Sequence, residues 1–306
     1  MKRTLHLIII VTLLVACGQS YEETKRITQQ QRKEAQRKDS AALKIAVMPT
    51  IDCLPMYVAE YYQLFDTVNG GVRLKPFKAH IDCDTALERK RVEGSVTDLV
   101  RALRLAKQGT KLRYVAATNA YWQLIANKNA RIRQLKQLDD KIVAMSRFSV
   151  TDMLSDLVVD SAKLRDEHLF RVQINDVDVR MQMLQNNEID ALFLPEPQAT
   201  MARMAKHPVM LDTRKLDARM GVIAFREQEM RRPERQRQLD LFVKAYNAAC
   251  DSINKHGVRH YRELIVKKCG VPLAVADSLP KDMKYQHAAG PRQQDIDRAE
   301  KWLNKK

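Results

Sequence analysis

The stretch Ser146-Arg147-Phe148-Ser149-Val150-Thr151-Asp152 gathers hydroxyls and a guanidinium at the point where an apolar run, "KIVAMS", gives way to a helical pattern. A strand that runs straight into a helix leaves unpaired N–H groups and a partial positive charge at the junction. Such a junction suits a carboxylate, sulfonate or phosphate. Ser146, Ser149 and Thr151 would add hydroxyl donors and Arg147 a charge, although Ser149 or Thr151 could equally serve as a plain helix cap. "PTID" (49–52) and "SVTD" (95–98) also close strand candidates and offer Pro49, Thr50, Asp52, Ser95 and Thr97, with Asp52 and Asp98 as alternative caps. In "TNAYW" (118–122), Asn119 is a polar contact and Tyr121 and Trp122 are flat faces for a ring compound or for packing. Glu196, set between Pro195 and Pro197, is an acceptor for a ligand N–H or a brace at a hinge.

Catalytic arrangements are missing from the sequence. There is no G-x-S-x-G, H-E-x-x-H or P-loop pattern, and no histidine adjoins an obvious nucleophile. His256 and His260 are spaced to share a helix face, but Gly257 between them favours a surface pair. Met181, Met183, Met201 and Met204 fall at helical spacing and read as core rather than as a copper or haem site. No metal site and no cofactor is expected.

The elements that must position these residues alternate. "LKIAVM" (43–48), "VRLKPF" (72–77), "LRYVAAT" (112–118), "KIVAMS" (141–146), "FRVQIN" (170–175), "DALFLP" (190–194) and "GVIAF" (221–225) are strand candidates, and helical patterns lie between most of them. Strands alternating with helices imply an α/β fold with mostly parallel sheets and right-handed crossovers. Two clusters of such units with a mostly helical C-terminal third imply two lobes and a cleft closed at a hinge.

The first residues set the expected compartment. Lys2 and Arg3 precede an apolar run, Leu7 to Ala16, of 10 residues, far short of the ~20 needed to span a bilayer. Leu14-Val15-Ala16-Cys17 resembles the lipobox of bacterial lipoproteins, which implies cleavage before Cys17 and lipidation of that residue. The stretch 20–40, "SYEETKRITQQQRKEAQRKDS", is polar and almost without apolar residues. It reads as a flexible stalk, forming at most a transient helix. The net charge of +16 invites a nucleic-acid reading, but no basic block interleaved with aromatics occurs and an exported chain seldom meets nucleic acid. A basic surface suits anionic headgroups or anionic ligands instead. Cys53, Cys83, Cys250 and Cys269 are even in number, which permits two disulfides in an oxidising compartment. The two-lobe organisation favours Cys53 with Cys83 and Cys250 with Cys269, and free buried thiols are the alternative.

An ordered series of segments resembles the type II periplasmic substrate-binding proteins of ABC importers, in the branch that handles sulfonates, nitrate and thiamine precursors. The segments are "LKIAVMPTIDCLPMYVAEYYQLF", "EGSVTDLVRALRLAKQGTKLRYVAATN", "LDDKIVAMSRFSVTDMLSDLV" and "NNEIDALFLPEPQATMA". Asp140 stands where that family usually has a glycine, and Tyr62-Gln63 replaces its turn glycine. The resemblance implies a two-lobed fold, each lobe a mixed, mostly parallel sheet flanked by helices, with the ligand cleft at the hinge. The expected organisation is a signal peptide over 1–16, a lipidated stalk over 17–41, lobe 1 from 42–119 plus 216–306, and lobe 2 from 120–215. It further implies a monomer that binds a small anionic or heteroaromatic molecule and serves an ABC permease with a separate ATPase subunit. Two kinds of enzyme use the same fold: thiamine-pyrimidine synthases, which carry a cysteine cluster lacking here, and cytoplasmic menaquinone-pathway dehydratases. A ligand-sensing lipoprotein is the remaining alternative.

Overall fold

A computed structural model of the protein describes residues 21–66 and 71–306. The leader and Cys17 lie outside the described residues. Among the described residues no helix is long and apolar enough to cross a membrane.

Two five-stranded sheets form the frame. The first has the order β2 (Val72–Pro76), β1 (Leu43–Val47), β3 (Gly94–Asp98), β10 (Gly221–Arg226), β4 (Leu112–Ala117). The second has the order β7 (Leu169–Gln173), β6 (Lys141–Met145), β8 (Ala191–Leu194), β5 (Gln123–Ala126), β9 (Val209–Asp212). In each sheet four strands run in one direction and one runs against them: β10 against β3 and β4, β5 against β8 and β9. The chain leaves the first sheet after β4 and returns to it as β10, so two short crossovers join the sheets. The strand candidates of the sequence are all present. β5 and β9 were missed because each is a four-residue run that includes a polar residue, Gln123 or Asp212.

Buried side chains explain the pairing. All of β3 and β10 is buried, and β1 nearly so, as central strands covered on both faces require. Phe225 on β10, Phe65 and Phe242 stack in the first lobe, with centroids 5.6 and 6.2 Å from that of Phe242. Each such pair adds about 1 kcal/mol beyond its buried area. Gly94 opens β3 because a Cβ there would stand 2.5 Å from the Phe225 ring. Met181 is core, Met183 and Met201 pack against it, and Met204 is exposed.

Three expectations need correction or completion. The stretch read as a flexible stalk is a helix, α1 (Tyr21–Ala41). It has no buried face, but it contains neither Gly nor Pro and carries an i,i+4 pair, Glu34 with Lys38 at 3.1 Å. Its C-terminal end is tied to the domain: Asp39 pairs with Arg73 (3.2 Å) and Lys75 (2.7 Å), and Arg235 and Gln238 donate to the Ala41 carbonyl, both at 2.8 Å. The four cysteines are free and buried, not bonded as Cys53–Cys83 and Cys250–Cys269. Packing gives the thiols other neighbours: Cys53 lies 3.7 Å from the Thr50 hydroxyl, and Cys250 donates to the Gln286 carbonyl at 3.4 Å. Burial pushes all four thiols up, Cys250 to about 12. Finally, Gln63 and Asp140, the two departures from turn glycines, keep left-handed backbone with φ of 57° and 53°. The turn is retained at a cost of about 1 kcal/mol each.

Candidate functional site

The parallel strands of both sheets end on the layer where the lobes meet. After β1 the chain makes a tight 3-10 turn, Ile51–Cys53, and starts α2 (Leu54–Tyr61). β2 leads to α3 (His80–Glu88), β3 directly to α4 (Leu99–Lys107), β6 to α5 (Val150–Ala162), β7 to α6 (Val177–Gln185) and β8 to α7 (Gln198–Met204). The ends meet in pairs. Ile51 N–H donates to the Glu196 carbonyl at 2.9 Å, and the Gln198 amide donates to the Pro49 carbonyl at 3.2 Å. Ala79 and Asp176 form an isolated bridge. Asp98, at the end of β3, accepts the Val150 N–H at the start of α5 at 3.1 Å. The C-terminal helix α8 (Gln293–Leu303) also spans the lobes, since Lys107 on α4 bonds Asn304 (2.6 Å) and Trp302 bonds Asp156 on α5 (2.7 Å).

Most of the hydroxyls singled out in the sequence are engaged within their own segment. Ser149 caps α5 by accepting the Thr151 N–H (3.1 Å) and donates to the Ser146 carbonyl (2.7 Å). The Thr151 hydroxyl accepts the Ser146 N–H at 2.9 Å. Arg147 is exposed and borders a groove with Phe148, Phe170 and Lys306, away from the buried layer. In the first lobe Thr50, Asp52, Ser95 and Thr97 are buried, and Asp52 accepts the Thr118 hydroxyl at 3.3 Å. No ion pair to Asp52 occurs among the described residues, and burial raises its pKa.

The hinge holds Tyr121 and Glu196 together. The Tyr121 hydroxyl donates to Glu196 Oε1 at 2.9 Å, and Arg203 reaches the same oxygen at 2.7 Å. Thr200 gives its N–H (2.9 Å) and hydroxyl (2.7 Å) to Oε2. Arg214 lies 4.3 Å over the Tyr121 ring. Glu196 thus braces the crossover, with four donors on a carboxylate that is 1% exposed. Asn119 donates to the Lys284 carbonyl at 3.2 Å and borders a cavity of about 330 Å³ between the crossovers, beside Thr118, Tyr121, Thr213 and Arg214.

Charged groups outside every motif singled out above fill the interlobe layer. Arg101 on α4 pairs with Asp84 on α3 at 2.6 Å and stands 3.5 Å from Asp98. Arg180 on α6 donates to the Phe193 carbonyl at 2.7 Å and has no carboxylate partner among the described residues. Burial, with Arg101 nearby, lowers its pKa to about 10. Burial, with the charges of Arg101 and Arg180 nearby, lowers the His80 pKa to about 3, so it is neutral. Burial raises Asp98 to about 6 against the pull of Arg101. Buried polar atoms without a partner concentrate here: His80 Nδ1, Asp84 Oδ1, Thr97 Oγ1, Arg101 Nε, Arg180 Nε and Gln198 Oε1. A signal for two of them existed. Arg101 falls in helical register with Leu105, and Arg180 with Val177 and Leu184, so each puts a charge on a buried stripe.

Two α/β lobes joined by two crossovers, with strand ends facing each other across a polar layer, define the periplasmic binding protein fold. Solved structures agree. The alkanesulfonate-binding protein SsuA of Xanthomonas axonopodis pv. citri, bound to MOPS, superposes with a TM-score of 0.72, at 14% identity over 86% of this chain and 91% of its own. A ligand-binding component of an ABC-type import system from Staphylococcus aureus gives 0.72 at 15% identity, covering 87% and 92%. The nitrate-binding protein NrtA of Synechocystis PCC 6803 gives 0.68 at 10% identity, covering 83% and 74%. No family model and no curated protein matches the chain by sequence.

Proposed function

We propose that this chain is a solute-binding protein that captures a small molecule between its lobes and delivers it to an ABC importer's permease, itself performing no chemistry. The observation that carries this reading is the set of unpartnered polar atoms on His80, Thr97, Arg180 and Gln198, at the facing strand ends or on the helices that follow them. Buried polar groups are normally satisfied, and a layer of unsatisfied ones between two hinged lobes is suited to a bridging ligand. A ligand that binds both lobes selects the closed arrangement. The structural neighbours are binding components of importers, which supports the same role. In this reading the lobes comprise 42–119 with 216–306, and 120–215, and the protein is a monomer held on the outer side of a membrane by lipid on Cys17.

The test is ligand capture. The full chain, purified in mild detergent, is challenged with a fractionated metabolite extract, followed by thermal shift and mass spectrometry of the retained compound. One compound bound stoichiometrically and unchanged is expected. Catalytic conversion of that compound, or no retained compound at all, would refute the assignment. Loss of acyl labelling in Cys17→Ser tests the anchor separately.

A further inference from the structure

The start of α5 is the place where the residue types point to an anionic ligand, yet its donors are already engaged. Val150 N–H bonds Asp98 Oδ1 at 3.1 Å, Thr151 N–H bonds the Ser149 hydroxyl at 3.1 Å, and Asp152 N–H bonds the Ser149 carbonyl at 3.1 Å. Ser149 belongs to the same segment. Asp98 does not: it comes from β3, in the opposite lobe. Its carboxylate is 1% exposed and caps two helices at once, because Oδ1 also accepts the Arg101 N–H at 3.1 Å. A helix N-terminus with its partial positive charge therefore holds a carboxylate supplied by the protein itself.

The surrounding charge points the same way. The buried layer and hinge contain the acids Asp52, Asp84, Asp98 and Glu196 against the cations Arg101, Arg180 and Arg203, with His80 neutral. Asp84 and Asp98 share Arg101, Glu196 has Arg203, Asp52 accepts hydroxyl hydrogen bonds, and Arg180 has no carboxylate partner among the described residues. Next to the start of α5, two carboxylates thus share one guanidinium. A second anion brought to α5 would face Asp98 directly, in a layer where burial weakens screening.

We propose that Asp98 sets the specificity of the interlobe cleft at the start of α5: it occupies the anion position there, so that position turns away sulfate-like and sulfonate-like anions. The proposal rests on the binding-protein reading for its biological meaning, but its physical content is testable alone. The full chain and its Asp98→Ser and Asp98→Asn variants are titrated with sodium sulfate and sodium methanesulfonate, against sodium chloride at equal ionic strength, by calorimetry and thermal shift. Circular dichroism verifies folding. Asn keeps an acceptor for the Arg101 and Val150 N–H groups while removing the charge, so it decides the matter should the Ser variant not fold.

The expected result is no specific response in the wild type and at least tenfold tighter anion binding in a folded variant. Wild-type binding of methanesulfonate that the substitutions do not strengthen would overturn the proposal, as would folded variants no better than wild type. The two readings fail differently. A sulfate-like or sulfonate-like metabolite from extract, held by the wild type at the start of α5, keeps the binding-protein reading and removes this one. Variants that gain sulfate affinity while extract yields no ligand keep this one and remove the other.

Discussion

Replacing His80 with Gln should make the protein less sensitive to acid, by an amount the site itself predicts. His80 is desolvated and feels the charges of Arg101 and Arg180, and its Nδ1 has no partner. Its pKa falls from the ordinary 6.5 to about 3. A base whose pKa is depressed by folding contributes stability that is fully present above its ordinary value and is lost as pH falls toward the folded one. At about 1.4 kcal/mol per pH unit, wild type should lose about 3 kcal/mol from this residue between neutrality and about pH 4. That is an upper figure, because the residue keeps part of its surface in solvent. Asp52, Asp84 and Asp98 act in the opposite sense, since burial raises their pKa values. Their contribution is present at low pH and fades as pH rises, through about 6 for Asp98. Wild type and variant share those acids, so the difference between them isolates His80. Urea unfolding of both proteins, followed by circular dichroism near pH 7.5 and pH 4, measures that difference at about 0.5 kcal/mol precision. The stability of His80→Gln relative to wild type should rise by about 2–3 kcal/mol on acidification. An unchanged difference would show that His80 is not held neutral by burial and the two arginines.

Two further outcomes test the hinge and the thiols. Tyr121→Phe removes one donor from Glu196 and should cost about 1.5 kcal/mol, whereas Glu196→Ala removes the acceptor shared by Tyr121, Thr200 and Arg203, although Arg203 keeps Gln123 and Thr200, and should cost about 3 kcal/mol. Urea titration gives both, and the reverse ranking would remove Glu196 as the brace. Ellman's reagent should leave Cys53, Cys83, Cys250 and Cys269 unmodified in the folded protein and react with all four after unfolding without reductant. Thiols that appear only after reduction would restore the disulfides.

The α/β frame was legible because it is written in local pattern. Leu43–Val47, Val72–Pro76 and Ala191–Leu194 are short apolar runs bounded by turn residues, and periodicity finds such runs. β5 and β9 escaped because a polar residue, Gln123 or Asp212, stands inside each four-residue strand, whereas Ala191–Leu194 is apolar throughout. The helix at Tyr21–Ala41 was lost to a different error, in which a segment with no apolar face is taken to have no structure. Its anchorage comes from Arg73, Lys75, Arg235 and Gln238, which are remote in sequence and invisible to a local reading.

The candidate site shows why polar motifs at strand ends locate a cleft better than they identify its ligand contacts. Ser149, Thr151 and Glu196 all lie at the facing ends, yet each has its hydrogen-bonding capacity engaged by neighbours. Unpartnered capacity falls instead on His80, Thr97, Arg180 and Gln198, and all but Thr97 sit on the helices that follow the strands. Whether a donor is free depends on the whole fold, because the partner that engages it can come from the other lobe. Asp98 is the clearest case: as a sequence feature it is the cap of α4, and only the approach of α5 makes it the anion at a second helix as well. A residue that is locally a cap and globally a counter-charge changes what the cleft can accept without altering any motif that marks the cleft.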